Sequence, residues 1–219
     1  MYFPLRIRNL FLDFLFPKSQ RALELEALSV DTLLKTLPSA ERLTDPDTTA
    51  LFDYKHPLVK EVIWELKYGG NMIIAEKLGA ILCDVIQHEL AESALFSKWS
   101  KPILIPIPIS DKRRFERGWN QSELLAEGVL MHDVSKIFRY LPGQLTKLHH
   151  TESQTKTRSR NERLKNLKNS MKVLNPLSVR GECVIVLDDV TTTGSTFVEA
   201  RRALGAAGAK KILCIAVAH

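Results

Sequence analysis

The chain has 219 residues, of which 45% are hydrophobic and 26% are charged, and its formal net charge is +6. This size and composition indicate one globular domain with an appendage, or at most two small domains, and they exclude a disordered chain. No apolar run approaches the ~20 residues that a membrane-spanning helix needs.

Residues 1 to about 45 are predicted to be helical. The first seventeen resemble a signal peptide in their apolar content, but Arg6, Arg8 and Asp13 interrupt the run, and no small-residue cleavage site follows. We therefore expect a packed helix at this position.

The three cysteines, Cys83, Cys183 and Cys214, stand in apolar contexts, and none belongs to a C-x-x-C pair. This pattern predicts buried free thiols rather than a disulfide framework. A cytoplasmic location follows as an expectation.

Helices and strands then alternate along the chain. TALFDYKHP near residue 50 predicts a short strand, and HPLVKEVIWELKYGGN predicts an amphipathic helix ended by Gly69 and Gly70. The next predicted elements are the helix MIIAEKLGAILCDVIQHEL, the strand KPILIPIPIS and the helix NQSELLAEGVLM.

Residues 146–172 carry eight Lys or Arg against two Glu, so the whole positive excess of the chain lies in this segment. Its polar composition predicts a loop followed by a helix. The charge is typical of a face that meets phosphates or nucleic acid, although a solvated helix face explains it equally well.

The C-terminal part predicts a strand ECVIVLDDV, a helix GSTFVEARRALGAAG and a strand AKKILCIAVAH. Apolar strands separated by a helix indicate right-handed βαβ crossovers and a parallel sheet covered on both faces. We therefore predict an α/β fold, with a helical N-terminal segment over 1–48 and the α/β domain over 49–219.

Asp188 and Asp189 stand at the carboxyl end of a predicted strand, where parallel sheets bind ligands. The Thr-, Gly- and Ser-rich turn that follows leads into a helix, so its backbone N–H groups suit a phosphate. Two carboxylates suit sugar hydroxyls or a magnesium shell. An acidic turn that merely caps a helix explains one Asp and one Thr, whereas a ribose with a 5'-phosphate explains the whole string.

The run VIVLDDVTTTGST, residues 184–196, resembles the phosphoribosyl-pyrophosphate motif of type I phosphoribosyltransferases. The resemblance implies a type I phosphoribosyltransferase-like parallel sheet flanked by helices, and it implies that phosphoribosyl pyrophosphate binds together with Mg²⁺. Asp188 and Asp189 would fix the ribose and serve any catalysis. The 5'-phosphate would lie on Thr191, Thr192, Thr193, Gly194, Ser195 and Thr196.

A second stretch, PIPISDKRRFERGWNQSELLA, places cations and side-chain amides after a predicted strand. Arginine binds pyrophosphate bidentately. The predicted pyrophosphate-binding residues are Lys112, Arg113, Arg114 and Arg117, followed by Gly118, Asn120 and Gln121. The aromatic residues among these cations, Phe115 and Trp119, are expected in the core.

This order of residues resembles the ComF family of phosphoribosyltransferase-like proteins, which is associated with DNA uptake in natural competence. Two further stretches extend the resemblance to roughly residues 50–219. One is HTESQTKTRSRNERLKNLKNSM, with Gln154, Arg160 or Arg163, and Asn166 in the family's order. The other is ELKYGGN around Lys67 and Tyr68, for which a plain helix end is the simpler interpretation.

The resemblance leaves three functions open: a magnesium-dependent phosphoribosyltransferase of unknown acceptor, a non-catalytic component that binds single-stranded DNA within the competence machinery, and a regulator that senses phosphoribosyl pyrophosphate. The basic segment would close over the site as a lid or contact nucleic acid. The residues expected to do so are Lys147, Gln154, Arg158, Arg160 and Arg163.

Two departures from the family pattern bear on function. Many ComF-like proteins carry a four-cysteine zinc ribbon near the N-terminus, but this chain has no cysteine before Cys83, so we expect a helical segment in its place and no zinc. An arginine expected shortly before Gln154 is also missing. Lys147, His149 and His150 are the nearest substitutes, and catalysis depends on whether they suffice.

Overall fold

The structure is a computed structural model and describes residues 18–94, 101–148 and 169–219. Its centre is a five-stranded sheet with the strand order β1-β7-β6-β2-β3, and every pair of neighbouring strands is parallel. The strands are β1 (Thr48–Phe52), β2 (Ile103–Pro106), β3 (Arg139–Tyr140), β6 (Cys183–Val190) and β7 (Lys211–Ala218). Two further strands, β4 (Leu145–Lys147) and β5 (Met171–Val173), form an antiparallel ribbon.

Helices cover both faces of the sheet. They are α1 (Gln20–Ala27), α2 (Val30–Thr36), α3 (Pro57–Trp64), α4 (Met72–Ala94), α5 (Asp111–Arg117), α6 (Gln121–His132) and α7 (Ser195–Ala206). A π-helical turn, Glu65–Gly69, continues α3, and a short 3₁₀ helix, Pro176–Ser178, precedes β6.

Alternating side chains of β6 enter two separate cores. Ile185 and Leu187 pack into the core shared with α1 to α4 and α6, whereas Val184 and Val186 pack into the core shared with α7 and the β4–β5 ribbon. A strand buried on both faces has an uninterrupted apolar sequence, as β6 has. The structure thus confirms the predicted fold class of a parallel sheet flanked by helices.

The described part of the N-terminal segment packs into the larger of the two cores. Leu25 of α1 and Leu33 of α2 are fully buried there. The Lys77 ammonium of α4 donates to the carbonyls of Glu26 and Leu28, which ties the end of α1 to the body of the protein. The predicted helix within residues 1–17 lies outside the described residues.

The two ends of the basic segment form the β4–β5 ribbon, which the sequence does not predict: Thr146 pairs with Lys172 and Lys147 with Met171. The loop and helix predicted between these ends stay a prediction. Three-residue strands are too short for an alternating pattern to stand out in the sequence. Residues 149–168, the middle of the segment, lie outside the described residues.

Helices α4 and α6 approach closely because each carries a glycine at their crossing. A methyl group on Gly79 would lie 2.3 Å from the backbone carbon of Gly128. This contact fixes α6, whose first residues reach the sheet edge described below. All three cysteines are free and buried, as predicted. Within the described residues, no helix has the length and hydrophobicity to cross a bilayer.

Candidate functional site

The acidic pair lies at the carboxyl end of β6, and both residues are buried. Asp188 is 6% exposed and Asp189 is 3% exposed. One oxygen of Asp188, Oδ1, accepts a hydrogen bond from Ser122 Oγ at 3.0 Å and another from the backbone N–H of Asp189 at 2.9 Å. The Asp188 carboxyl is therefore directed toward α6.

Asp189 has two partners from different parts of the chain. Gln121 Nε2 donates to Oδ1 at 3.2 Å, and Lys67 Nζ forms an ion pair with Oδ2 at 2.6 Å. The Lys67 side chain is 21% exposed and that of Asp189 only 4%, so the lysine covers the carboxylate. A buried carboxylate needs such a partner because loss of its hydration is costly.

Asn120 explains why the first two residues of α6 face the acids. Its Oδ1 accepts from the N–H of Ser122 at 3.0 Å and caps the helix, while its Nδ2 donates to the carbonyl of Ile107 at 2.9 Å. The start of α6 is thereby tied to the chain just after β2. Gln121 and Ser122 follow at once and meet the neighbouring strand β6.

The π-helical turn positions Lys67. The α3 helix widens at Glu65, and the turn ends at Gly70, which has a left-handed φ of 56°. A side chain at Gly70 would collide with the ring of Trp119, whose Nε1 donates to the carbonyl of Leu66 at 3.2 Å. Single π turns inside α-helices often mark functional sites. The helix ends at the predicted glycines, but its last turn is a π turn, and Lys67 pairs with Asp189 rather than belonging to a plain helix end.

Burial sets the electrostatics of the site. It raises the pKa of Asp188 to about 8, and the neighbouring negative charge of Asp189 adds to the effect. Burial also lowers the pKa of Lys147, and Arg113 acts in the same direction, whereas both aspartates oppose it. Lys147 of β4 thus lies close enough to Asp188, Asp189 and Arg113 for their charges to act on its ammonium.

The 191–196 turn leads from β6 into α7. Gly194 has a left-handed φ of 72°, and a methyl group on it would meet no atom of the described residues within 4 Å. The N–H of Val198 is the first in α7 to donate back along the helix, to the carbonyl of Gly194. The N–H groups of Ser195, Thr196 and Phe197 therefore have no acceptor within the helix itself.

The predicted pyrophosphate residues lie on α5, and their partners differ. Lys112, Arg113 and Arg114 are exposed and Arg117 is half-buried. Arg114 forms an ion pair with Glu123, and Arg117 donates to Gln121 Oε1 at 3.2 Å.

The core position expected for Phe115 is wrong. Its side chain is 92% exposed, because α5 lies on the surface and buries none of its residues. Trp119 is half-buried and packs against the larger core, as expected.

Within the protein, the oxygens of the two acids meet Ser122, Gln121 and Lys67. The contact of Asp188 and Asp189 with a sugar stays a prediction. No sequence motif pointed to Ser122, and Gln121 was assigned to pyrophosphate rather than to Asp189. Several predicted residues lie outside the described ranges: Gln154, Arg158, Arg160, Arg163 and Asn166.

Among residues 18–94, 101–148 and 169–219, no group of three or more His, Cys, Asp or Glu side chains is arranged to hold a metal ion. The absence of zinc stays a prediction, because residues outside these ranges could also supply metal ligands.

No family model matches the chain. Among curated proteins, the chain is 30% identical over 173 residues to the DNA utilization protein YhgH of Escherichia coli K12. The match covers 74% of this chain and 68% of YhgH. It is 29% identical to the protein of the same name from Salmonella typhimurium LT2, covering 73% and 66%. It is 31% identical to the competence protein ComFC of Bacillus subtilis 168, covering 67% and 53%.

Two solved structures show a partial likeness at 16% identity, each covering 70% of this chain and 30% of the other. One is the allosteric regulatory enzyme of purine biosynthesis, with a TM-score of 0.41. The other is glutamine phosphoribosylpyrophosphate amidotransferase from B. subtilis in complex with ADP and GMP, with a TM-score of 0.42.

Lys67→Met is expected to lower the free energy of unfolding at neutral pH by about 2–3 kcal/mol, because it leaves Asp189 buried without a counter-ion. Urea unfolding measures the loss. Lys60→Met, an exposed lysine of α3, is the control and should stay within about 0.5 kcal/mol of the wild type. Combining Lys67→Met with Asp189→Asn should recover part of the loss. Equal stabilities of the two lysine variants would contradict the ion pair.

Asp188→Asn is expected to change how stability depends on pH. The folded pKa of Asp188 is raised to about 8 from the ordinary aspartate range near 4, so the native state keeps a proton that the unfolded chain releases between these values. The stabilisation is complete below pH ~4 and is lost as the pH rises toward ~8.

The asparagine oxygen accepts the same two hydrogen bonds without this titration. Urea unfolding at several pH values should therefore show a flatter profile for Asp188→Asn, with greater stability than the wild type above pH ~8. The exposed Asp84→Asn should keep the wild-type slope. An unchanged slope in Asp188→Asn would show that this carboxyl has the same pKa in the folded and the unfolded protein.

Proposed function

The chain belongs to the ComF family of phosphoribosyltransferase-like proteins, and we propose that it binds phosphoribosyl pyrophosphate beside the 191–196 turn and acts in DNA uptake. The cellular part of the proposal is supported by relatives named as a DNA utilization protein and a competence protein. Because the chain spans about half to two thirds of these relatives, the activity of the whole proteins is part of the proposal.

The 191–196 turn is the observation that carries the ligand assignment. The N–H groups at the start of α7 have no partner within the helix, and the helix dipole adds partial positive charge at the same place. Around the left-handed Gly194, no atom of the described residues lies within 4 Å of the position that a Cβ would take. Hydroxyls of Thr193 and Ser195 lie 2.9 Å apart at the turn and supply further donors. These features suit a phosphate monoester.

Asp189 supplies the acceptor for the sugar hydroxyls next to this turn. Its oxygens are engaged by Lys67 and Gln121, so a ribose has to replace the Lys67 ammonium in order to reach Oδ2. The displaced Lys67 ammonium is then available to bind an anion. Asp188 is directed toward Ser122, so we assign it a role in holding the strand end and Asp189 rather than a contact with the ligand.

Pyrophosphate would meet Lys112, together with Lys147 from the β4–β5 ribbon. Arg114 is less suited because Glu123 neutralises it. The residues present fit Mg²⁺ only alongside the ligand, since both oxygens of Asp189 already have protein partners. When bound, Mg²⁺ neutralises pyrophosphate charge. The chain's own contribution to pentosyl transfer is positioning and charge stabilisation, for which no protein nucleophile is required.

Gly194→Ala is expected to weaken phosphoribosyl pyrophosphate binding by at least about tenfold, because it places a methyl group where the phosphate approaches and strains a left-handed residue. Calorimetric titration in the presence of Mg²⁺ measures the affinity. Gly181→Ala is the matched control, because Gly181 has the same left-handed conformation and open surroundings but precedes the opposite end of β6. Gly181→Ala should lose about as much stability as Gly194→Ala but keep the wild-type affinity for phosphoribosyl pyrophosphate.

Absence of binding to the wild type would contradict the ligand assignment, and equal affinities of the two glycine variants would contradict its location. Pyrophosphate release in the presence of a nucleobase acceptor would distinguish a transferase from a protein that only binds the ligand.

A further inference from the structure

Two large aromatic side chains lie on the surface where α3 runs into the π-helical turn. Trp64 is 56% exposed and Tyr68 is 54% exposed. Their ring centroids are 5.6 Å apart and the ring planes are inclined by 42°. Burial of two such rings would stabilise the fold, so a pair left half in water indicates a contact surface.

Cations flank the two rings on both sides. The Arg117 guanidinium lies 4.8 Å from the centroid of the Tyr68 ring, and Lys60 precedes Trp64 by one turn of α3. Arg113 precedes Arg117 by one turn of α5. The aromatic stripe is defined as these residues in order along the surface: Lys60, Trp64, Tyr68, Arg117 and Arg113.

The positive charge of the stripe is not compensated within the described residues. No described carboxylate forms an ion pair with Lys60, Arg113 or Arg117. Two acids near the stripe have other partners, since Glu61 pairs with Arg21 and Glu123 with Arg114. The stripe therefore presents exposed aromatic faces between cations that have no carboxylate partner in the described part of the chain.

The stripe continues into the acidic site. Arg117 donates to the side-chain oxygen of Gln121, and the amide of the same glutamine donates to Asp189. Tyr68 directly follows Lys67, the counter-ion of Asp189. A chain bound along the stripe would thus pass the mouth of the proposed phosphoribosyl site.

We propose that the aromatic stripe binds single-stranded nucleic acid, with bases stacked on Trp64 and Tyr68 and phosphates on Lys60, Arg113 and Arg117. Rings provide sequence-tolerant stacking, and a line of cations follows the phosphodiester backbone. A hydrophobic protein partner would use the rings but would leave three cations without counter-charge. The proposal rests on the role in DNA uptake and assigns to it a surface outside the basic segment.

The test is fluorescence anisotropy with two labelled strands of about 15 nucleotides, the upper range of a typical single-strand site, one of thymidylate and one abasic with the same backbone. Trp64→Ala and Tyr68→Ala should each weaken thymidylate binding by about fivefold or more, the effect of one base that no longer stacks. Both should bind the abasic strand like the wild type. Phe115→Ala is the control, an exposed aromatic two residues from Arg117 and hence on another side of α5.

Arg113→Gln and Arg117→Gln should weaken binding of both strands. Each should also reduce the dependence of log affinity on log salt by about 0.7, because one phosphate of the strand is no longer neutralised by the protein. Urea unfolding of every variant shows that the compared samples are folded.

The outcomes separate the stripe from the function on which it rests. If the wild type binds neither strand, the proposed role in DNA uptake by direct contact is wrong, and so is the assignment of the aromatic stripe as a binding surface. A wild type that binds thymidylate while Trp64→Ala and Tyr68→Ala bind it unchanged overturns the stripe alone. Equal weakening for the abasic strand overturns stacking. If free thymine displaced the labelled strand as well as unlabelled thymidylate does, the surface would bind a single base instead of a strand.

Discussion

The burial of two adjacent acidic side chains at the end of one strand is the constraint on which the site depends. Asp188 and Asp189 lose nearly all contact with water, and β6 itself offers them only one backbone N–H. The remaining donors come from the start of α6 and from the π-helical turn. Because an unpaired buried carboxylate is strongly destabilising, this requirement fixes both elements against the edge of the sheet.

The same constraint gives Asp189 a counter-ion within the protein. The Lys67 ammonium pairs with Oδ2 of Asp189, whereas the N–H groups at the start of α7 precede the hydrogen-bonded part of that helix. In the proposed function, a phosphorylated sugar would meet the turn first and then exchange with the lysine. Gln121 links this exchange to Arg117 and the aromatic stripe, so the two proposed ligands would share one hydrogen-bonded connection.

The strands β6 and β7, the helix α7 and the turn between them follow from the sequence, because apolar runs and glycine breakers are local signals. The partners of the acids do not follow, because Gln121 and Ser122 are 68 and 66 residues away from them. In the sequence, Lys67 cannot be distinguished from any other lysine near a helix end, because only the π-helical turn directs it toward Asp189. The aromatic stripe cannot be predicted from the sequence for the same reason. Its two rings lie on α3 and the π-helical turn, whereas two of its three cations, Arg113 and Arg117, lie on α5.

A crystal structure of the protein with phosphoribosyl pyrophosphate and Mg²⁺ would show where the ligand binds. We expect the 5'-phosphate on the N–H groups at the start of α7, a ribose hydroxyl on Asp189, and Lys67 Nζ displaced from that carboxylate. A ligand bound elsewhere, or a Lys67–Asp189 pair that persists with the ligand in place, would contradict this expectation.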